Sequence, residues 1–276
     1  MGTLSSFRVR NANIWYEVEG KGAPILQIGG AGFAHENFSG VKEQFIESNT
    51  VIDFDHRGYG NSDKPDQLYT IEGWADDCAD LIRELGCGPV NVHGTSMGGM
   101  MAISLAERYP ELIDNLIIGS SAAKADYTFR ANLEIWKALA EAAGMNSHVV
   151  AQEIATKALT RNFLDTSVGA SVVEAIPDTL ERNCSLSIFK SSCDAMINMD
   201  LVAGLEKITA RTLVMAGAED VLTPIDQGPS GAGSRMITEL IPNAQMYVFE
   251  HTGHGNLLEA PEESVAVIRK FLGATD

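Results

Sequence analysis

Short runs of almost wholly apolar residues recur along the chain, separated by longer stretches with an apolar residue every three or four positions. "APILQIG" (23–29), "TVIDFD" (50–55), "GPVNVHG" (88–94), "LIDNLIIGS" (112–120), "ARTLVMAG" (210–217) and "AQMYVFE" (244–250) each predict a strand. "SFRVR" and "IWYEVEG" flank Asn11-Ala12-Asn13 and predict a hairpin. Helical spacing covers "ENFSGVKEQFIES" (36–48), the stretch after Thr70, where Ile71, Trp74, Ala75, Cys78, Leu81, Ile82 and Leu85 share one face, residues 97–109, about 231–240 and 262–272. Thr70 is placed to cap the second of these. Strands that alternate with helices and are apolar throughout belong to a mostly parallel sheet covered on both faces. The rhythm stops near Ala122. From about 126 to 206 the spacing is helical only, so the pattern predicts an α/β core in two pieces, 1–125 and 207–276, interrupted by an α-helical block.

Composition changes this picture little. The 276 residues, 45% hydrophobic, suffice for one large domain with an insertion. A formal net charge of −17 argues against nucleic acid and anionic membranes as partners, since both need clustered Lys and Arg. Cys78, Cys87, Cys184 and Cys193 lie far apart with no C-x-x-C spacing, which predicts free thiols in a reducing cytosol, no disulfide and no metal set. No apolar run reaches about 18 residues, and no secretory segment opens the chain. "MGTLSS" fits the loose myristoylation pattern and is read as an ordinary start.

The chemistry begins at Gly94-Thr95-Ser96-Met97-Gly98, a G-x-S-x-G between a predicted strand and a predicted helix. A sharp strand-to-helix turn strains the serine backbone and exposes its hydroxyl, and the helix N-terminus favours developing negative charge. A serine nucleophile needs a base, and the base an orienting acid. Glu219 and Asp220 follow one later strand, and His251 and His254 the last. All these loops should leave the carboxyl ends of parallel strands, where open α/β sheets place their sites. A glycine loop, "GGAG" (29–32), also follows a strand and suggests a dinucleotide site. From Gly30, however, G-x-G-x-x-G/A needs a small residue at 35, where His35 stands.

Taken in order, "DHRGYGNSDKP" (55–65), "GTSMGG" (94–99), "GAEDVLTP" (217–224) and "GHGNLLEAPEE" (253–263) resemble the α/β-hydrolase family over nearly the whole chain. The resemblance implies Ser96 as nucleophile, Asp220 as acid and His254 as base, with Glu219 and His251 left as loop residues. It implies an oxyanion hole from the backbone N–H of Met97 and of one residue in the 29–32 loop, for which Ala31 is chosen over Gly30 and Gly32. Gly29 stands where many relatives carry histidine. Asp55 and Arg57 would hold their loop, and His93 would be a buried, hydrogen-bonded histidine. The helical block, 126–206, would be a cap over Ser96. Phe129, Trp136, Phe163, Phe189 and Met196 of the block, with Gly30, Gly32 and Phe33 of the glycine loop, are candidate pocket residues, and Arg130, Arg161 and Lys190 candidate partners for a substrate carboxylate. "GTSMGGMMA" and residues 185–208 look most like small-molecule esterases and enol-lactonases. The expectation is a cytoplasmic, cofactor-free hydrolase of a small ester or lactone, with a homodimer allowed. C–C bond hydrolysis, perhydrolysis or acyl transfer on the same residues, and a slow-turnover ligand receptor, are the alternatives. Residues 226–235, "DQGPSGAGSR", lengthen the loop after Asp220 for no chemical reason the sequence supplies.

Overall fold

The computed structural model describes residues 3–273. Met1 and Gly2, where the myristoylation pattern begins, lie outside them. Eight strands form one sheet: β1 (Thr3–Val9), β2 (Ala12–Gly20), β3 (Ala23–Ile28), β4 (Asn49–Phe54), β5 (Val90–Thr95), β6 (Ile113–Gly119), β7 (Arg211–Gly217) and β8 (Ala244–Phe249), in the order β1-β2-β4-β3-β5-β6-β7-β8. β1 and β2 form the antiparallel hairpin, and β2 runs antiparallel to β4. From β4 to β8 every pairing is parallel, so the loops after β3, β5, β7 and β8 share one edge of the sheet.

Helices cover both faces. α2 (Ile71–Leu85) and α3 (Met97–Arg108) bury one face together with α10 (Ser234–Leu240). α1 (Lys42–Ile46) and α12 (Pro261–Leu272) bury the other. α2 starts where predicted: the Thr70 hydroxyl accepts the Gly73 N–H at 3.0 Å, and Gly86, at φ 60°, ends the helix in the left-handed region. The predicted helix over 36–48 is broken instead into a 3-10 turn, His35–Phe38, and the short α1. Ser39 and Gly40 stand exposed between them, and a glycine costs a helix roughly 1 kcal/mol against alanine. Phe38, Val41 and Phe45 still reach one core, which is why their spacing looks continuous in the sequence.

Between β6 and β7 the chain carries the predicted helical block: α4 (Tyr127–Ala143), α5 (His148–Ala158), α6 (Arg161–Leu164), α7 (Ser167–Asn183), α8 (Leu186–Asn198) and α9 (Val202–Leu205). Its two ends meet. Leu201 N–H donates to the Ala123 carbonyl at 2.9 Å, and Lys124 bridges both Asp200 and Ala232. The long loop after Asp220 supplies Ala232, and its Gly228 N–H donates to Asp126 Oδ2 at 2.9 Å. Asp126 Oδ1 in turn caps α4 through the Phe129 N–H. Residues 226–235 therefore act structurally, pinning the base of the helical block, while Asp226 and Arg235 close the loop with paired hydrogen bonds of 2.6 and 2.9 Å. The short α11 (Asn256–Glu259) lies between the loop after β8 and α12. Among the described residues no helix is long and apolar enough to cross a membrane.

Candidate active site

Ser96 sits between β5 and α3 at φ 54°, ψ −121°, a conformation that non-glycine residues avoid. The surrounding structure imposes it. Ser96 N–H donates to the Gly119 carbonyl at 2.9 Å, and the Ser96 carbonyl accepts the Ser121 hydroxyl at 2.8 Å. The flanking glycines are sterically required: a Cβ on Gly94 would lie 2.2 Å from the Gly98 carbonyl oxygen, and one on Gly98 2.0 Å from that of Ile28.

Asp220 and His254 meet from the loops after β7 and β8. His254 Nδ1 lies 2.9 Å from Asp220 Oδ2. The other carboxylate oxygen accepts the N–H groups of Leu222 and Thr223 at 2.8 and 2.9 Å, and the Thr223 hydroxyl donates to Oδ2 at 2.9 Å. Burial pushes the Asp220 carboxyl up. The His254 ring and the Thr223 groups outweigh it and hold the carboxyl below its ordinary range. Glu219 and His251 stay out: the His251 side chain is 91% exposed and 4.0 Å from Glu219.

The 29–37 loop leaves one candidate N–H unengaged. Gly30 N–H donates to Asn37 Oδ1 at 2.9 Å, and Gly32 N–H faces the Tyr59 hydroxyl. Among the described residues, the N–H groups of Ala31 and Met97 have no acceptor. Asn37, absent from the residues singled out in the sequence, shapes this loop; no spacing signal marks it. Gly29 needs to be glycine, since a Cβ there would come 2.8 Å from the Ala34 carbonyl oxygen.

Asp55 braces the same loop from below. It accepts the Asn61 and His35 N–H groups at 2.7 and 3.0 Å and pairs with the His35 ring at 2.7 Å. Trp15 packs on that ring with centroids 4.5 Å apart. The hydrogen bond to Asp55 outweighs burial and, with Glu36 and Asp53 also facing it, raises His35 above its ordinary 6.5. The stability this pair adds is fully present below about pH 6.5 and is lost as pH rises through the raised folded value. The urea midpoint of the wild type, relative to His35→Gln, should fall over that window. A difference between the two that is flat across it would refute the coupling. Arg57 holds the next turn through two 2.7 Å bonds to Asp77. His93 departs from expectation: it is fully buried with neither ring nitrogen hydrogen-bonded, and burial pushes it down to about 3, so it stays neutral against the Phe38 ring.

Ser96 and His254 line one cavity of about 260 Å³ beneath the helical block, with no hydrogen bond between them. The pocket candidates Gly30, Phe33, Phe129, Trp136, Phe189 and Met196 line it, and so does Ala31. Gly32 does not. It lies at φ 83°, and the place its Cβ would take is filled by Leu180 Cδ2 at 2.4 Å. Phe163 also lies off the cavity wall. Of the three candidate cations, Arg130 donates to the Ala125 carbonyl, Lys190 pairs with Glu141, and Arg161 is exposed. Much of the wall comes from residues that the sequence did not single out, including Leu133, Ile154, Ala155 and the row Val172, Ala175, Ile176 and Thr179 on α7. That row recurs at i, i+3, i+4 and i+7, a signal present in the sequence.

Residues 41–261 match the family model described as serine aminopeptidase, S33. The chain belongs to this family of α/β hydrolases. The hydrolase is 28% identical over 276 residues to the 2-hydroxymuconate semialdehyde hydrolase of Pseudomonas putida, covering 94% of this chain and 90% of that protein. It is 28% identical over 219 residues to 3-oxoadipate enol-lactonase 2 of Acinetobacter baylyi, covering 79% and 76%. The crystal structure of the enol-lactonase from Burkholderia xenovorans shares its fold with a TM-score of 0.85 at 21% identity, over 98% of this chain and all of that one.

Proposed function

We propose that this hydrolase cleaves small, uncharged carboxylic esters or lactones through Ser96, His254 and Asp220. The observation that carries the reading is the Asp220–His254 pair at 2.9 Å, opening on the cavity that the strained Ser96 also lines. Ser96 Oγ turns to His254 Nε2, gives up its proton there and attacks the substrate carbonyl. Asp220 holds the Nδ1–H tautomer and stabilises the imidazolium that forms. The N–H groups of Ala31 and Met97 receive the oxyanion; the engagement of Gly30 and Gly32 elsewhere supports Ala31 as the second donor. His254 then protonates the departing oxygen, and water, deprotonated by the same ring, releases the acid and restores Ser96. The helical block, 126–206, serves as a cap on the core formed by 1–125 and 207–276.

The substrate class follows from the wall. A cavity near 260 Å³ falls below the usual ligand-pocket range of ~300–1,000 Å³ and suits a small molecule. Among the described residues no lysine or arginine lines it, whereas Glu36 does. A substrate carboxylate buried there would be desolvated with no partner. The relatives named for an enol-lactone and a semialdehyde support attack on a small carbonyl compound. A fluorophosphonate probe should label Ser96, and p-nitrophenyl butyrate should exceed the p-nitrophenyl monoester of succinate in kcat/KM by about tenfold or more. Equal rates on the two esters would remove the charge selection. A vinylogous diketone cleaved faster than either would move the assignment to C–C hydrolysis.

A further inference from the structure

We infer that Glu259 is a positioning residue for His254, a strap that ties the histidine loop to residues 158–160 of the helical block. The inference rests on the reading of His254 as the base. Three consecutive N–H groups around the histidine are held by this one arrangement. Gly253 N–H donates to Glu259 Oε1 at 2.9 Å. His254 and Gly255 N–H both donate to the Ala158 carbonyl, at 2.7 and 3.1 Å. The second oxygen of Glu259 accepts the Thr160 N–H at 3.0 Å and the Thr160 hydroxyl at 2.5 Å. The two parts are in close contact: a Cβ on Gly253 would lie 2.8 Å from the Ala158 carbonyl oxygen, and one on Gly255 2.6 Å from Leu159 Cδ2.

Ala158 and Leu159 also line the cavity. The segment that grips the base therefore touches whatever fills the cavity. A carboxylate suits the position because both of its oxygens accept. Glutamine would set an N–H₂ against one of the donors. The strap acts on the orientation of the ring, and thus on the chemical step, more than on substrate affinity.

The test compares wild type, Glu259→Gln and Thr160→Val, by kcat and KM for p-nitrophenyl butyrate and by the low-field NMR resonance of the His254 Nδ1 proton. Glu259→Gln should lower kcat on the order of 10- to 100-fold, the scale of a misplaced catalytic group, with KM unchanged within about threefold. The Nδ1 resonance should shift or broaden, and Thr160→Val should show the same pattern more weakly. A folded Glu259→Gln with wild-type kcat, or one whose loss lies in KM, overturns the inference. If Glu259→Gln fails to fold, Thr160→Val decides, and wild-type kcat with an unmoved resonance overturns it. Fluorophosphonate labelling of wild-type Ser96 separates the two readings. Without labelling the site assignment falls and the strap with it; labelling together with unaffected variants overturns the strap alone.

Discussion

Ser96→Ala is expected to lower kcat on p-nitrophenyl butyrate by about 10⁴- to 10⁶-fold, to the residue left by binding and oxyanion stabilisation alone. The fold should not register the change. Alanine keeps the Cβ, and among the described residues the serine hydroxyl makes no hydrogen bond, so no partner is left unsatisfied. The thermal midpoint should therefore stay close to that of the wild type while the burst of acyl-enzyme disappears. A variant retaining a tenth or more of wild-type turnover would end the assignment of Ser96 as nucleophile.

The second large effect belongs to Asp220→Asn, for which a loss of about 10⁴ in kcat is expected. The substitution keeps the shape but reverses the contacts of Oδ2, with His254 and with the Thr223 hydroxyl. An amide nitrogen facing His254 Nδ1 donates to it, which places the ring proton on Nε2 and leaves no lone pair there to accept from Ser96. Stability changes too, with a definite sign. Because the Asp220 carboxyl is held below its ordinary value, its ionised form adds stability above the unfolded carboxylate pKa near 3.8, and this is lost as pH falls through the lower folded value. Asp220→Asn should remove that acid-side dependence. Matched denaturation curves across the acid range, with a slope identical to wild type, would show that Asp220 is not the group responsible.

The sheet and the residues brought to its edge were legible because each rests on local signals. Apolar runs mark strands buried on both faces, and the glycines around Ser96 record approaches of backbone to backbone that no side chain permits. Strand position alone brought Ser96, the pair Glu219/Asp220 and the pair His251/His254 to one edge, and the choice of Asp220 and His254 within those pairs came from the resemblance. What was not legible depends on distant chain. Gly32 was a pocket candidate, yet Leu180, far along the sequence, occupies its open side. His93 was expected to find a partner, and the apolar packing beside Phe38 gives it none. The extra loop at 226–235 had no meaning until Asp126 appeared beside Gly228. The α7 row was visible in principle. Periodicity alone does not say which of a helix's apolar rows faces a cavity and which a core.

The junction of Ala123 and Lys124 with Asp200 and Leu201 has a consequence of another kind. The two ends of the helical block meet beside the sheet, where Leu201 N–H donates to the Ala123 carbonyl and Lys124 bridges Asp200 and pairs with its carboxylate at 2.6 Å. Segments whose ends lie this close can be exchanged without lengthening or straining the scaffold they interrupt. Any segment exchanged for residues 125–199 would have to present an aspartate to Gly228, an acceptor to the N–H groups of the histidine loop and a carbonyl to Gly60 N–H.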